Sequence, residues 1–294
     1  MASIDLHFHS HASDGALPPA EVIARAAERE ASLVALTDHD CTRGLAEARA
    51  AAATHGVDFL NGVEVSVTWN GKHTVHIVGL GIDPEHAGLM AGLQSIRDGR
   101  VQRAREMSDS LARIGIHGAF DGAMAVCENP EMIGRTHFAR FLVNSGEVKD
   151  VRTVFRKYLT PGKPGYVPHE WANLADAVGW IVASGGTAVI AHPGRYDMGR
   201  TLTERLILDF KDAGGCGIEV ASGSHSLDDM HKYALIAQRY GLLSSAGSDF
   251  HAPGEGCRDV GRTEDLPPIC QPVWQALQER IIRHASPAPT RTEQ

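Results

Sequence analysis

The 294-residue sequence predicts an α/β fold: strands and helices alternating around a largely parallel sheet, open or closed, with a helical insertion. Three observations predict it. Short apolar runs of strand length alternate with Ala- and Glu-rich helical stretches in both the first eighty and the last hundred and thirty residues. Residues 84–158 break that alternation with long charged helical stretches. Polar residues able to bind metal sit at the ends of the apolar runs, where α/β barrels build their sites.

Ser3 to His9 alternates like a short strand, and Pro18-Pro19 opens a helix through about Arg29. The apolar run Ser32 to Thr37 has strand length and ends in Asp38-His39-Asp40; an Ala-rich helix follows over about Arg43 to His55. Asp58 to Val67 and Lys72 to Leu80 pair as a hairpin across Trp69-Asn70-Gly71. Alternation resumes near Gly165-Tyr166-Val167. Helices over Leu174 to Ser184, Leu202 to Ala213 and Leu227 to Tyr240 then separate strands Thr187 to Ala191, Gly217 to Val220 and Leu242 to Ala246. A last helix covers about Gln271 to Arg283, and the Pro/Thr-containing tail 285–294 is expected to be disordered. The domain division is therefore 1–83 with 159–284 as the α/β body and 84–158 as an inserted helical subdomain.

Composition bounds the chemistry. With 43% hydrophobic and 22% charged residues the chain can bury a sizeable core. A formal charge of −8 argues against a broad nucleic-acid surface and a stable nucleic-acid complex, but not against a nucleotide in a local basic pocket. Five widely spaced cysteines without a CxxC pair signal neither a disulfide framework nor a thiolate site, as in a reducing cytoplasm. The start MASIDLHFHSH carries no signal-peptide pattern, and no run nears ~18 apolar residues, so no membrane partner is expected.

Sixteen histidines are many. His7-x-His9 places two imidazoles on one face of a strand, because strand side chains have period two. Asp249-x-His251 repeats that spacing. His7 and His9, His39, Glu64, His192, and Asp249 with His251 stand at five strand ends; Asp14 in a turn and His76 complete nine donors. His76 lies in the strand interior Val75 to Val78 and is preferred over His73, which follows a turn. One HxH alone is weak, since histidines also cap strands, and His55, His86 and His117 read as surface residues. The joint placement is what points to metal. Nine donors exceed one tetrahedral zinc and suit two or three ions sharing a carboxylate, the arrangement that clamps both sides of a phosphoryl displacement. Neither a P-loop nor a GxSxG elbow occurs.

The motifs HFHSHASDG, LTDHD, GVEVS, VHIVGLGID, AHPGR and GSDFH, in that order over residues 3 to 265, resemble the polymerase-and-histidinol-phosphatase (PHP) superfamily. The resemblance implies a distorted (β/α)7 TIM-like barrel with a trinuclear centre. His7, His9, Glu64 and Asp249 would hold one ion, Glu64 with His76 and His192 a second, and Asp14, His39 and His251 a third. Mixed imidazole and carboxylate donors suit manganese, iron or zinc. Within the insert, Gly134-Arg135-Thr136-His137 resembles the GRPH-type motif of bacterial nucleoside 3′,5′-bisphosphate phosphatases, a group that includes the exoribonuclease RNase AM. Thr136 stands where proline is common.

By that resemblance the insert covers the metal mouth, and Arg135 and His137 contact substrate phosphate, with Arg195 and Lys163 as further candidates; an arginine fork matches phosphate oxygens. On residue type alone, Arg135 and Arg140 read equally as solvated helix charges. His192, His251 and Asp14 are the candidate catalytic residues, His192 and His251 or a water as donors to the leaving oxygen. The expected substrate is a nucleoside 3′,5′-bisphosphate such as phosphoadenosine phosphate. The rivals are 5′-to-3′ exoribonuclease action on short RNA, a histidinol-phosphate phosphatase, which the GRTH-containing insert argues against, and a non-catalytic metal-binding module.

Overall fold

The computed structural model describes residues 3–284; the predicted disordered tail lies outside them. Seven strands form one sheet in sequential order: β1 (Ser3–Phe8), β2 (Ala31–Leu36), β3 (Asp58–Trp69), β4 (His73–Leu80), β5 (Thr187–Ile190), β6 (Gly217–Ser222) and β7 (Leu243–Gly247). β4 runs antiparallel to both neighbours and the other pairs are parallel. The segment after β7 returns to β1: His9 N–H donates to Phe250 O at 2.9 Å and Asp249 N–H to His7 O at 2.7 Å. The sheet is thus a nearly closed barrel.

The expected helices flank it: α1 (Pro19–Ala27), α2 (Leu45–His55), α8 (Leu174–Ala183), α9 (Arg200–Asp212) and α10 (Leu227–Tyr240). Their apolar faces cover the outer side of the strands. α1, for example, buries Val22, Ile23 and Ala26 at period 3–4. The predicted hairpin forms β3–β4, and its turn takes positive φ at Asn70 and Gly71, which those two residue types tolerate. Among the described residues no helix is long and apolar enough to cross a membrane.

Strand parity separates two environments. On β3 the odd residues Phe59, Val63, Val65 and Val67 join the outer core, while Leu60 on the even face belongs to a second cluster with Leu6, Leu33, Val78 and Val189. That second cluster plugs the barrel interior. Further along the same even face stand Glu64 on β3 and His76 on β4, so the interior passes from apolar to ligand-rich along the strands. The ligand-rich end carries the site.

Residues 87–159 are helical. α3 (Ala87–Arg97) packs Leu89, Leu93 and Ile96 into the outer barrel core. α4 (Arg100–Ala112), α5 (Ala119–Ala125), α6 (Arg135–Asn144), α7 (Val151–Val154) and the π-helical turn 155–159 enclose a core of their own, with Met107, Leu111, Phe138, Leu142 and Leu159 buried.

Four expectations change. Glu64 lies inside a long strand, not at a strand end, because β3 and β4 extend past the barrel rim as a hairpin; His76 lies inside β4, as its run Val75 to Val78 indicates. Asp249 does not repeat the strand geometry of His7: its φ is 52°, a left-handed value that turns the chain sharply after β7. Gly165 to Val167 forms no strand; instead Ala172 bridges Val67, and Thr68 N–H donates to Ala172 O. The C-terminal helix shrinks to one turn, α11 (Val273–Ala276), because Ile282 pairs through its backbone with Phe59 and draws the chain out of helix.

Candidate metal centre

The structure brings the nine donor side chains together at the ligand-rich end of the barrel. Glu64, fully buried in mid-β3, stands at their centre. Its carboxylate faces five imidazoles: His7 at 3.3 Å, His9 at 3.4 Å, His39 at 2.9 Å, His76 at 3.0 Å and His192 at 3.0 Å. Asp249 Oδ1 lies 3.6 Å from His7, 3.2 Å from His9 and 3.7 Å from His251. Asp14 Oδ1 lies 3.4 Å from His251 and 3.9 Å from His39. His73 is elsewhere, packed on Trp69 at 5.8 Å.

Four overlapping groups of these atoms are close enough to share a cation: His9, Asp14, His39 and His251; His7, His9 and Asp249; His7, Glu64 and His192; and His39, Glu64 and His76. The donor set fits divalent ions on a second count. Buried polar atoms are normally hydrogen-bonded, yet among the described residues His7 Nε2, both His9 nitrogens, Asp14 Oδ1, His39 Nδ1, Glu64 Oε2 and His192 Nδ1 make no hydrogen bond of good geometry, even where, as for His39 and Glu64, they lie close together. Imidazole nitrogens and carboxylate oxygens left open and mutually facing have the chemistry of cation ligands.

The electrostatics show a strained balance. Burial pushes the Glu64 carboxyl up, but the His39, His76 and His7 imidazoles hold it well below the usual carboxylate range. Burial likewise opposes ionisation of Asp249, which Arg195 and the nearby histidines pull far down. His9, buried and facing His251 and His39, falls to about 3. His39 is lowered by burial but raised on balance to about 9 by Glu64 and Asp14.

A ring of supporting side chains fixes the cluster, and sequence reasoning missed most of it. Glu219 on β6 contacts His7 Nδ1 at 2.5 Å and accepts from His192 N–H at 2.6 Å. Its only sequence signal is a lone carboxylate inside the apolar run Gly217 to Val220. Asp38 accepts from Ser10 N–H and Oγ–H and from Ser13 Oγ–H, tying down the loop that carries Asp14; burial lifts its carboxyl to about 6. Asp40 accepts from Ser66 N–H and Oγ–H and pairs with Arg100. His192, at φ 27°, starts a tight turn whose Gly194 N–H donates to His225 Nε2.

The phosphate candidates fall in different settings. Arg195 pairs with Asp249 and is half exposed. Arg135 stands with Arg100 and Arg103 in a largely buried guanidinium group, in which Arg100 and Arg103 lie over the Trp171 ring at 4.6 and 5.3 Å. His137 is buried, and its Nδ1 accepts Gly134 N–H at 3.1 Å, so that atom caps α6 and is not open to a ligand. Lys163 is exposed at a turn between Thr160 and Tyr166. Of the histidines read as surface residues, His55 and His117 are exposed, whereas His86 caps α3 by accepting Leu89 N–H.

A family model described as PHP domain matches residues 5–161. Over 97% of this chain and all of the relative, the sequence is 74% identical to a 3′,5′-nucleoside bisphosphate phosphatase of Chromobacterium violaceum. It is 42% identical to a 5′-3′ exoribonuclease of Haemophilus influenzae, over 92% of this chain and 97% of that protein. A solved structure from C. violaceum, named an amidohydrolase with bound sulfate and no metal, superposes with a TM-score of 0.94 at 74% identity, covering 96% of this chain and 98% of that one.

Proposed function

This chain belongs to the PHP domain family, and from that premise we propose that it is a metal-dependent phosphoesterase that removes a phosphate from nucleoside 3′,5′-bisphosphates. The observation that carries the reading is the buried Glu64 carboxylate facing five imidazoles, with open nitrogens and oxygens around it. In this reading His7, His9, Glu64 and Asp249 hold one ion, Glu64, His76 and His192 a second, and Asp14, His39 and His251 a third, manganese being the ion to test first. Bound there, such ions supply Lewis acidity, an acidified water and charge neutralisation for a phosphoryl displacement.

The chain's own residues do the rest. Arg195, fixed on Asp249 yet half exposed, reaches from the metal rim toward solvent, where a phosphate oxygen arrives. The α4–α7 helices act as a cover: Thr136 and Arg140 of α6 touch Asp14 from above the barrel, and the Arg100, Arg103 and Arg135 guanidiniums bring positive charge beside a site ringed by carboxylates. Like charges gathered with few carboxylate partners favour an anionic ligand.

The second reading is exoribonuclease action on RNA 5′ ends, favoured by the relative that matches over nearly its whole length. Both activities are open to one site if its mouth admits a chain on the 3′ side. The test measures, with manganese, phosphate release from a nucleoside 3′,5′-bisphosphate and from a generic phosphate ester, and nucleoside-monophosphate release from a 5′-phosphorylated RNA oligomer. The bisphosphate should be preferred over the generic ester by orders of magnitude, and a chelator should abolish turnover. Equal rates on bisphosphate and generic ester would overturn the proposal, and a faster oligomer would give the exonuclease reading precedence.

A further inference from the structure

We infer that Thr136, on the cover helix α6, is a positioning residue that aims Asp14 at a cation. The inference rests on the reading of Asp14 as a metal ligand. The two oxygens of Asp14 are differently placed. Oδ2 accepts a hydrogen bond from Thr136 Oγ1 at 2.8 Å. Oδ1 is buried, has no hydrogen-bond partner, and faces His251 Nε2 at 3.4 Å and His39 Nε2 at 3.9 Å. One oxygen is therefore committed to α6, and the other is left open toward two imidazoles and His9.

A carboxylate's last torsion is broad and nearly two-fold, so without a partner on Oδ2 the group would sample other planes. The Thr136 hydroxyl selects one of them. The same helix also grips the Asp14 backbone, since Arg140 Nη1 donates to Asp14 O at 2.6 Å while its guanidinium holds Glu255 on the loop after β7. Thr136 stands two residues inside the helix from its cap Gly134, where its hydroxyl is not needed by the backbone. Its hydroxyl donates across to the barrel instead. Partners of this kind are known to set ligand orientation, and their loss commonly costs about 10–100-fold in metal affinity.

The test titrates manganese into chelator-stripped protein by calorimetry, with ion counting, for the wild type and for Asp14→Asn, Thr136→Val and Thr136→Ser. Asp14→Asn should lose one ion. Thr136→Val, which keeps the shape and removes the hydroxyl, should weaken that same ion by about 10–100-fold and leave the others unchanged. Thr136→Ser, which keeps the hydroxyl, should bind as the wild type does, and the melting temperature of the stripped Thr136→Val protein should match that of stripped wild type. If Asp14→Asn loses an ion but Thr136→Val binds every ion normally, the positioning role is wrong while Asp14 remains a ligand. If Asp14→Asn keeps every ion, the ligand reading fails and the inference falls with it. Equal weakening of all ions, or a lowered melting temperature without metal, marks damage to the fold and also overturns the role.

Discussion

Glu219 spans two of the clustered histidines with a single carboxylate, one oxygen on the His7 ring and the other on the His192 backbone. A carboxylate behind an imidazole fixes its tautomer and raises its basicity as a ligand. Glu219→Gln keeps the volume but removes the charge. It should weaken manganese binding by about 10–100-fold, measured by calorimetry on the stripped protein, with little change in the fold. Unchanged affinity would show that His7 is held by its strand alone. The contrast with the nine donors explains what was legible at this scale. His7, His9, Asp249 and His251 announce themselves by spacing, and His39, Glu64 and His192 by standing in or after apolar runs. Glu219 supports others and needs no partner in sequence. Asp38 and Asp40 flank His39 in plain view, but their work is to hold Ser10, Ser13 and Ser66, which only the folded chain brings near.

At the scale of elements, α6 joins the cover to the barrel, and its cap depends on a neutral imidazole. His137 Nδ1 accepts Gly134 N–H, and burial, with Arg140 and Arg100 nearby, lowers its pKa to about 4 despite the pull of Asp14. In the unfolded chain the same group titrates near 6.5. Between those values the unfolded chain takes up a proton that the fold refuses, so the stability His137 contributes is present above pH about 6.5 and is lost as pH falls toward 4. From pH 7 to 5 the loss should be about 2 kcal/mol, seen as a lower urea midpoint. His137→Asn offers an acceptor in place of Nδ1 and does not titrate; it should show a shallower acid slope than the wild type. Parallel slopes would remove His137 from the account. The strands and helices of the barrel were mostly readable because each has a clear period and boundary. The C-terminal segment reads as helical by composition, but Ile282 finds a backbone partner in Phe59, a long-range pairing that local pattern does not contain.

At the scale of the molecule, the donors come from β1, β3 and β4 and from the segments after β1, β2, β5 and β7, so ions bound among them would tie strands all around the barrel. At the closure, the backbone hydrogen bonds to β1 run through the short segment after β7 that carries Asp249. That segment turns at a left-handed Asp249, and the cluster places three histidines and Arg195 against its carboxylate. Metal should therefore act as a global stabiliser. An ion present at about a hundred times its Kd adds about 2.7 kcal/mol to the native state. For a chain of this size each kcal/mol shifts the melting temperature by roughly 2–4 °C, so each ion should raise it on the order of 5–10 °C. Scanning calorimetry of stripped protein against rising manganese measures this directly. The increments should disappear stepwise in Asp14→Asn and in a His7→Ala, Asp249→Ala pair, since each removes donors from a different group. Without ions, the buried Glu64 carboxylate must balance five imidazoles, an arrangement that favours filling the centre over leaving it open. A melting temperature indifferent to chelation would mean that the buried cluster is held by hydrogen bonds and ion pairs alone, and the metal-based chemistry would have no footing.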